Sequence, residues 1–249
     1  MREAAAQWGA VAFGIASVDE ADALPPVKIG YTVNRYSKTI RSTMPEARSV
    51  IIVGAPSIDD ADELAVERRP GIWSYPGYFR LNLAERDLIR LLRGEGYRAN
   101  CLSELASYKR LAILAGIGAY GKNSLVISPR HGPWLRLGAV ATDAELPLDE
   151  PFARDLCGRC RRCVDACPAK ALTAYVVDSN RCLVGASIRK VVPKRLKPLL
   201  SANEPQLTTR THIMCTKCQQ ACRYTTLERR KSSYSGRKAS RPRRRTKGR

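Results

Sequence analysis

The stretch CGRCRRCVDACP sets thiols at Cys157, Cys160, Cys163 and Cys167, with Pro168 directly after the last. The spacing C-x2-C-x2-C-x3-C-P is the run with which two-cluster bacterial ferredoxins bind [4Fe–4S] cubes. Three thiolates spaced three residues apart on a tightly wound loop can reach three irons of one cube. The extra residue turns the fourth sulfur toward a different cube, and the proline helps to end the turn. A second cube requires further thiols: Cys182 stands alone, and CTKCQQAC supplies Cys215, Cys218 and Cys222. Ferredoxin-type crossing assigns Cys157, Cys160, Cys163 and Cys222 to one cluster, and Cys167, Cys182, Cys215 and Cys218 to the other. Of the nine cysteines only Cys101 is left over, and its place in a short strand pattern reads as a buried small hydrophobe. Zinc and disulfides are the alternatives. All-cysteine zinc sites favour paired C-x2-C knuckles, and disulfides belong mainly to exported chains. Arg159, Arg161, Arg162 and Lys217 add positive charge near the sulfurs, which favours the reduced cluster and raises its potential.

A second motif, AGIGAYGKNS, holds Gly116, Gly118 and Gly121 in the order G-x-G-x-x-G. It also misses a P-loop by one residue, with Asn123 where Ser or Thr belongs. Context argues against NAD and ATP. The preceding LASYKRLAILA reads as a helix, whereas a dinucleotide loop follows a strand, and NSLVISPRHGPW after it is strand-like. Two readings remain: a backbone that brings its N–H groups up to a flat or anionic ligand, or a tight helix-to-strand turn with no ligand. His131 and His212 are the only histidines, and each reads as a surface or supporting residue.

The elements that must position these residues fall into two groups. Up to about residue 148 the chain interleaves strands and helices, which predicts an α/β or α+β domain. The clearest strand is RSVIIVG (48–54), with VAFGIAS (11–17), YRANCL (97–102), NSLVIS and WLRLGAVAT as further strands. YFRLNLAERDLIRLLRGEG has Leu81, Leu88 and Leu92 at helical spacing. Residues 3–8 read as a short helix, the segment from Pro25 to Ala47 as loop, and 55–71 as a surface loop. From residue 149 the periodicity fades, as expected of a small module held by metal rather than by apolar burial. We therefore expect domains at 1–148 and 149–226, followed by a basic, disordered tail at 227–249.

The net charge is +20. Eleven Lys or Arg and no acid lie between Arg229 and Arg249, so the tail contributes +11. Such a chain favours an anionic partner, nucleic acid or another polyanion, although a solvated tail alone also accounts for the charge run. No window is apolar enough for a membrane span. The N-terminus lacks a signal-peptide pattern, so the cytoplasm is the expected compartment.

In order and wording, MPEARSVIIVG, AGIGAYGKNSLVISPRHGPWLRLGAVATDAELPLDEP, the four-cysteine run, Cys182 and CTKCQQAC resemble the epoxyqueuosine reductases, relatives of corrinoid-dependent reductive dehalogenases. The resemblance reaches from the N-terminus to about Tyr224. It implies an α+β chain: a nitroreductase-like or cobalamin-processing-like α/β domain that holds a corrinoid, then a ferredoxin-like module with two [4Fe–4S] clusters. Electrons from a flavodoxin or ferredoxin-like donor would pass through the clusters to cobalt, and Co(I) would drive a two-electron reduction that yields queuosine in tRNA. Gly116, Gly118, Gly121, Lys122, Asn123 and Ser124 would fall on the corrinoid-facing loop. Three departures stand out. Leu102 sits where the family carries an acidic proton donor, with Glu104 nearby but out of register. The helical repeats of longer members are replaced by a basic tail, and the last cysteine motif ends Cys-Arg-Tyr in place of Cys-Pro-Trp. No catalytic residue is assigned; Tyr75 and Tyr78 are phenols that could approach the corrinoid. The alternative is a ferredoxin-like electron carrier with no corrinoid.

Overall fold

The computed structural model describes residues 1–29, 35–102, 106–189, 191–226 and 229. The chain begins with α1 (Arg2–Ala6), β1 (Ala12–Ser17), α2 (Val18–Ala23), the paired β2 (Lys28–Ile29) and β3 (Arg35–Tyr36), and β4 (Ser49–Pro56). A 3-10 turn (Asp60–Glu63) leads to β5 (Leu64–Arg69), β6 (Ile72–Ser74), α3 (Phe79–Gly94) and β7 (Ala99–Cys101). Then follow α4 (Tyr108–Leu114), β8 (Ala119–Tyr120), β9 (Val126–Ile127) and β10 (Leu135–Thr142). The cysteine-rich part holds α5 (Arg162–Asp165), β11 (Leu172–Thr173), β12 (Val176–Val177) and α6 (Leu183–Ser187). It continues with α7 (Lys197–Asn203), β13 (Gln206–Thr208), β14 (Thr211–Ile213) and α8 (Lys217–Gln220).

The central sheet has the order β1-β4-β10-β7, and each of its pairings is antiparallel. The chain is therefore α+β, and among the described residues the first part shows no parallel α/β arrangement. β4 explains why its sequence is a continuous apolar run: both faces are covered. Val50 and Ile52 join Leu111 and Ala112 of α4 in one apolar cluster. Ile51 and Val53 meet Leu81, Leu88 and Leu92 of α3 in the other. The leucines at helical spacing are thus the buried stripe of α3, as the pattern predicts.

Two expectations need correction. Residues 55–71 are not merely a surface loop: they end β4 and form the 3-10 turn and β5. Charged Glu67, Arg68 and Arg69 mask that strand, which exists because it pairs with β6 and β14. Cys101 is exposed rather than buried, since β7 is the sheet edge and ends there. The described residues between Pro25 and Ala47 are irregular apart from β2 and β3, yet send Ile40, Met44 and Ala47 into the core; residues 30–34 lie outside the described residues. Residues 227, 228 and 230–249, most of the expected tail, lie outside the described residues. Arg229 is 3% exposed and buried against the domain.

A second sheet, β13-β14-β5-β6, crosses the expected boundary at 148. Thr211, His212 and Ile213 pair with Val66, Ala65 and Leu64. Arg210 O accepts from Glu67 N at 2.8 Å, and Glu63 O accepts from Met214 N at 2.9 Å. The two parts are stitched by backbone hydrogen bonds directly before Cys215.

Glu85 of α3 is a buried carboxyl in this scaffold, accepting from Ala139 N at 2.7 Å. Gly138 makes room for it, since a Cβ there would lie 2.6 Å from Glu85 Oε1. Burial pushes the Glu85 carboxyl up to about 7, against the opposing pull of the Ala139 N–H. A raised carboxyl pKa means that the folded state binds the extra proton between the unfolded value near 4.5 and about 7. Stability should therefore fall as pH rises through that window. Glu85→Gln, measured by denaturant unfolding at pH 5 and pH 8, should remove most of that fall and stabilise the protein at pH 8 by about 3 kcal/mol at most. Leu88→Ala, at a fully buried site, should cost about 2–5 kcal/mol. Leu91→Ala on the exposed face of the same helix should stay within about 0.5 kcal/mol.

Candidate metal centre

The two cysteine groups are brought together by separate local devices. Asp155 takes Cys157 N (2.8 Å) and Gly158 N (3.0 Å) on its two carboxylate oxygens, turning the chain at the first thiol. Cys160 N donates to Cys157 O at 2.9 Å, and α5 then carries Cys163 inward. Cys167 Sγ accepts from Ala171 N at 3.2 Å. Cys182 is the residue before α6, its N–H on Asp178 O at 2.9 Å. Cys215 follows β14, its N–H on Glu204 Oε1 at 3.0 Å, and α8 presents Cys218. None of the nine cysteines is in a disulfide.

The eight clustered cysteines line two cavities, four to each. The smaller, of about 20 Å³, is bounded by Cys157, Cys160, Cys163 and Cys222. The larger, of about 200 Å³, is bounded by Cys167, Cys182, Cys215 and Cys218, and extends to Tyr78, Trp134 and Arg136. This partition follows the crossed spacing pattern. Among the described residues, no three His, Cys, Asp or Glu side chains crowd around a single-ion position. A four-iron cube spreads its thiolates over its corners and makes a different demand.

Burial dominates the electrostatics. It pushes the thiol of Cys215 up to about 12 and raises those of Cys163, Cys218 and Cys222. Such thiols ionise only with a compensating cation, which metal ligation supplies. Lys109 Nζ donates to Ser124 O at 2.6 Å; burial lowers its pKa, while Cys182 and Cys218 pull the other way. Behind the larger cavity, Glu204 and His212 stand 3.3 Å apart without hydrogen-bond geometry, and Trp73 packs edge-on to His212 at 5.2 Å. Burial pushes Glu204 up to about 7 and His212 down.

The glycine loop lies against the cluster module. Lys122 N faces Cys157 Sγ at 3.5 Å, and its ammonium donates to Gly158 O. The close approach that glycine permits is to the chain's own backbone. A Cβ at Gly118 would meet Ile127 O at 2.3 Å, and one at Gly116 would meet Glu150 O at 2.7 Å. Asn123 lines both cavities. Ser124 adopts φ 60°, held by Lys109 and by its own Oγ, which donates to Tyr175 O at 3.1 Å.

Other predicted residues are placed as follows. Leu102 is in the core, its N–H on Ala139 O at 3.0 Å and its carbonyl accepting from Tyr108 OH at 2.8 Å. Glu104 lies outside the described residues. Tyr78 lines the larger cavity with Arg136 4.9 Å above its ring. Tyr75 is not among the lining residues, and burial raises its pKa. Arg159, Arg161 and Arg162 are exposed around the smaller cavity's loop. Sequence reasoning missed Glu204, Lys109, Trp134 and Arg229. Arg229 lies 3.9 Å over the Trp134 ring and bonds Asp60 at 2.9 Å. None of these carries a spacing signal; only the tertiary contacts select them.

Comparison with known proteins places this centre in a class. Residues 156–225 match the family described as 4Fe-4S double cluster binding domain. This stretch is thus similar to iron–sulfur binding modules of the double-cluster type. Beyond that stretch the chain is similar to the epoxyqueuosine reductases, as the motifs predict. The protein of that name from Synechococcus sp. (strain RCC307) is 57% identical over 70 residues, covering 28% of this chain and 22% of the relative. The one from Synechocystis sp. is 33% identical over 169 residues, covering 62% and 56%. An epoxyqueuosine reductase solved with an epoxyqueuosine-modified tRNA stem loop shares the fold at a TM-score of 0.70 and 20% identity, covering 92% of this chain and 65% of that one. A catabolic reductive dehalogenase shares it at 0.59 and 14%, covering 92% and 32%. The chain spans between about a fifth and just over half the length of these curated relatives.

The partition of sulfurs predicts a pattern of metal loss. Cys163→Ser or Cys218→Ser should each lower iron content after anaerobic reconstitution from about eight per chain to about four. Cys163→Ser with Cys222→Ser, in one cavity, should also retain about four. Cys163→Ser with Cys218→Ser, across the two, should retain almost none. Iron and sulfide analysis checks all four.

Proposed function

We propose that the chain is an iron–sulfur reductase with two [4Fe–4S] clusters, acting in an epoxyqueuosine reductase-like reaction on a modified tRNA. The observation that carries this reading is the division of eight cysteines between two cavities in the ferredoxin crossing. The donor set suits the cubes: eight thiols, several held neutral by burial until a metal compensates them, and at both cavities Asn123, whose amide nitrogen is buried without a hydrogen-bond partner. The larger cavity also suits a flat cofactor on its far side, where Tyr78, Pro133, Trp134, Leu135 and Arg136 form a mostly apolar wall with one cation. These residues, rather than Gly116 and Gly118, would hold a corrinoid. When bound, the clusters supply one-electron transfer and the corrinoid a strongly reducing two-electron centre.

The protein's own residues have distinct parts in this scheme. Trp134, which is buried, and the cysteine loops wall the larger cavity. Arg136 is held at its wall by an ion pair with Glu63, which lines the same cavity, at 3.0 Å. Tyr78, beneath that guanidinium, is the phenol placed to deliver a proton, because Leu102 is a core residue with nothing to titrate. The electron donor is a flavodoxin or ferredoxin-like protein, and the chain's +20 charge favours the tRNA polyanion.

A second reading, a ferredoxin-like carrier serving a partner enzyme, is favoured by the buried Leu102 alone. One experiment separates the two. Anaerobically reconstituted protein is given cobalamin, a low-potential reductant and an epoxyqueuosine-containing tRNA stem loop, and nucleosides are analysed by mass spectrometry. The reductase reading predicts a bound-corrinoid absorbance band and queuosine, with Tyr78→Phe slowing turnover at least tenfold while iron content is unchanged. Reversible cluster reduction with neither corrinoid band nor product would establish the carrier instead.

A further inference from the structure

Asn123 is 5% exposed, and its Nδ2 is a buried donor with no hydrogen-bond partner. A buried unpaired amide costs about 1–3 kcal/mol, so a native site that keeps one calls for a missing acceptor. The orientation of the amide is physically determined. Asn123 Oδ1 accepts from Leu125 N at 3.2 Å. A flipped amide would set two donors against each other, so the nitrogen must face the other way.

The surrounding loop enforces that pose. A Cβ at Gly121 would lie 2.7 Å from Asn123 Oδ1 and 2.6 Å from Ile127 Cγ1, so glycine there leaves room for the amide. Gly121 O accepts from Ser124 N, and Leu125 O accepts from Gly121 N, each at 2.8 Å. Ser124 is held in the left-handed region by Lys109 and Tyr175. Non-glycine residues in that region persist only when their surroundings over-determine them. The loop fixes one residue, Asn123, and that residue lines both four-cysteine cavities.

We propose that Asn123 is a positioning residue shared by the two cluster sites, its free amide donating N–H···S hydrogen bonds to cluster or cysteinyl sulfur at the partition between them. This rests on the two-cluster reading. Hydrogen bonds to the sulfurs stabilise the reduced, more negative cluster and raise its potential. Asn123 therefore makes at least one cluster easier to reduce.

The test is an EPR-monitored redox titration of the reconstituted full chain, wild type against Asn123→Leu, with iron analysis of both. The proposal predicts about eight irons in each. At a fixed potential, the reduced-to-oxidised ratio of at least one cluster in Asn123→Leu should fall about tenfold, 59 mV for a one-electron couple. Unchanged potentials with full iron would overturn it. If Asn123→Leu fails to load, pulsed EPR of reduced wild type labelled with ¹⁵N in the asparagine side-chain amide decides. A resolved ¹⁵N coupling supports the proposal, and its absence overturns it. Wild type holding fewer than eight irons would instead overturn the two-cluster reading, an outcome seen before any comparison with the variant.

Discussion

The pairing of β14 with β5 is the constraint on which the rest of this structure depends. Four sulfurs can surround a cube only if segments far apart in the chain are held in register, and short helices of four residues, such as α5 and α8, cannot do this alone. β5 supplies a rigid template from the first part of the chain, and the ladder from Thr211 to Ile213 runs directly into Cys215. The far end of the same segment is secured differently. Gln219 Nε2 donates to Pro133 O at 3.1 Å, and Trp134 Nε1 donates to Thr225 Oγ1 at 3.0 Å. Between these two anchors lie Cys215, Cys218 and Cys222, so both cavities inherit their geometry from the antiparallel sheet domain.

The same logic gives the glycine loop its meaning. It is a strut between domain and module: Gly116 and Gly118 press on the chain's own carbonyls, Lys122 grips the loop of Cys157 and Gly158, and Asn123 reaches the partition. Burial leaves the thiols of Cys215 and Cys218 reluctant to ionise, so on the proposed reading metal loading would be coupled to the docking of the module onto this strut.

What could be read from the sequence was the part encoded locally. Cysteine spacing reflects local chain geometry, and the two groups of four it suggests are the two groups that line separate cavities. β4 and α3 were legible because burial on two faces and burial on one stripe leave different periodicities. β5 was not, because its partner β14 lies 145–149 residues away in the chain and its Glu67, Arg68 and Arg69 read as loop. The purpose of Gly116, Gly118 and Gly121 was also hidden: spacing reveals that backbone comes close to something, but not that the something is Ile127 and Glu150. Cys101 looked buried because a strand pattern does not say whether the strand is an edge. Lys109, Glu204 and Arg229 acquire roles only through contacts that no local pattern encodes.

The central claim is that two iron cubes sit in two cavities, each within its own four thiols. X-ray diffraction from anaerobically grown crystals, measured on either side of the iron absorption edge, tests it most directly. Two compact anomalous peaks are predicted, one ringed by Cys157, Cys160, Cys163 and Cys222, the other by Cys167, Cys182, Cys215 and Cys218. A single peak, a signal that appears at the zinc edge instead, or peaks ringed by any other grouping of these sulfurs would contradict the account.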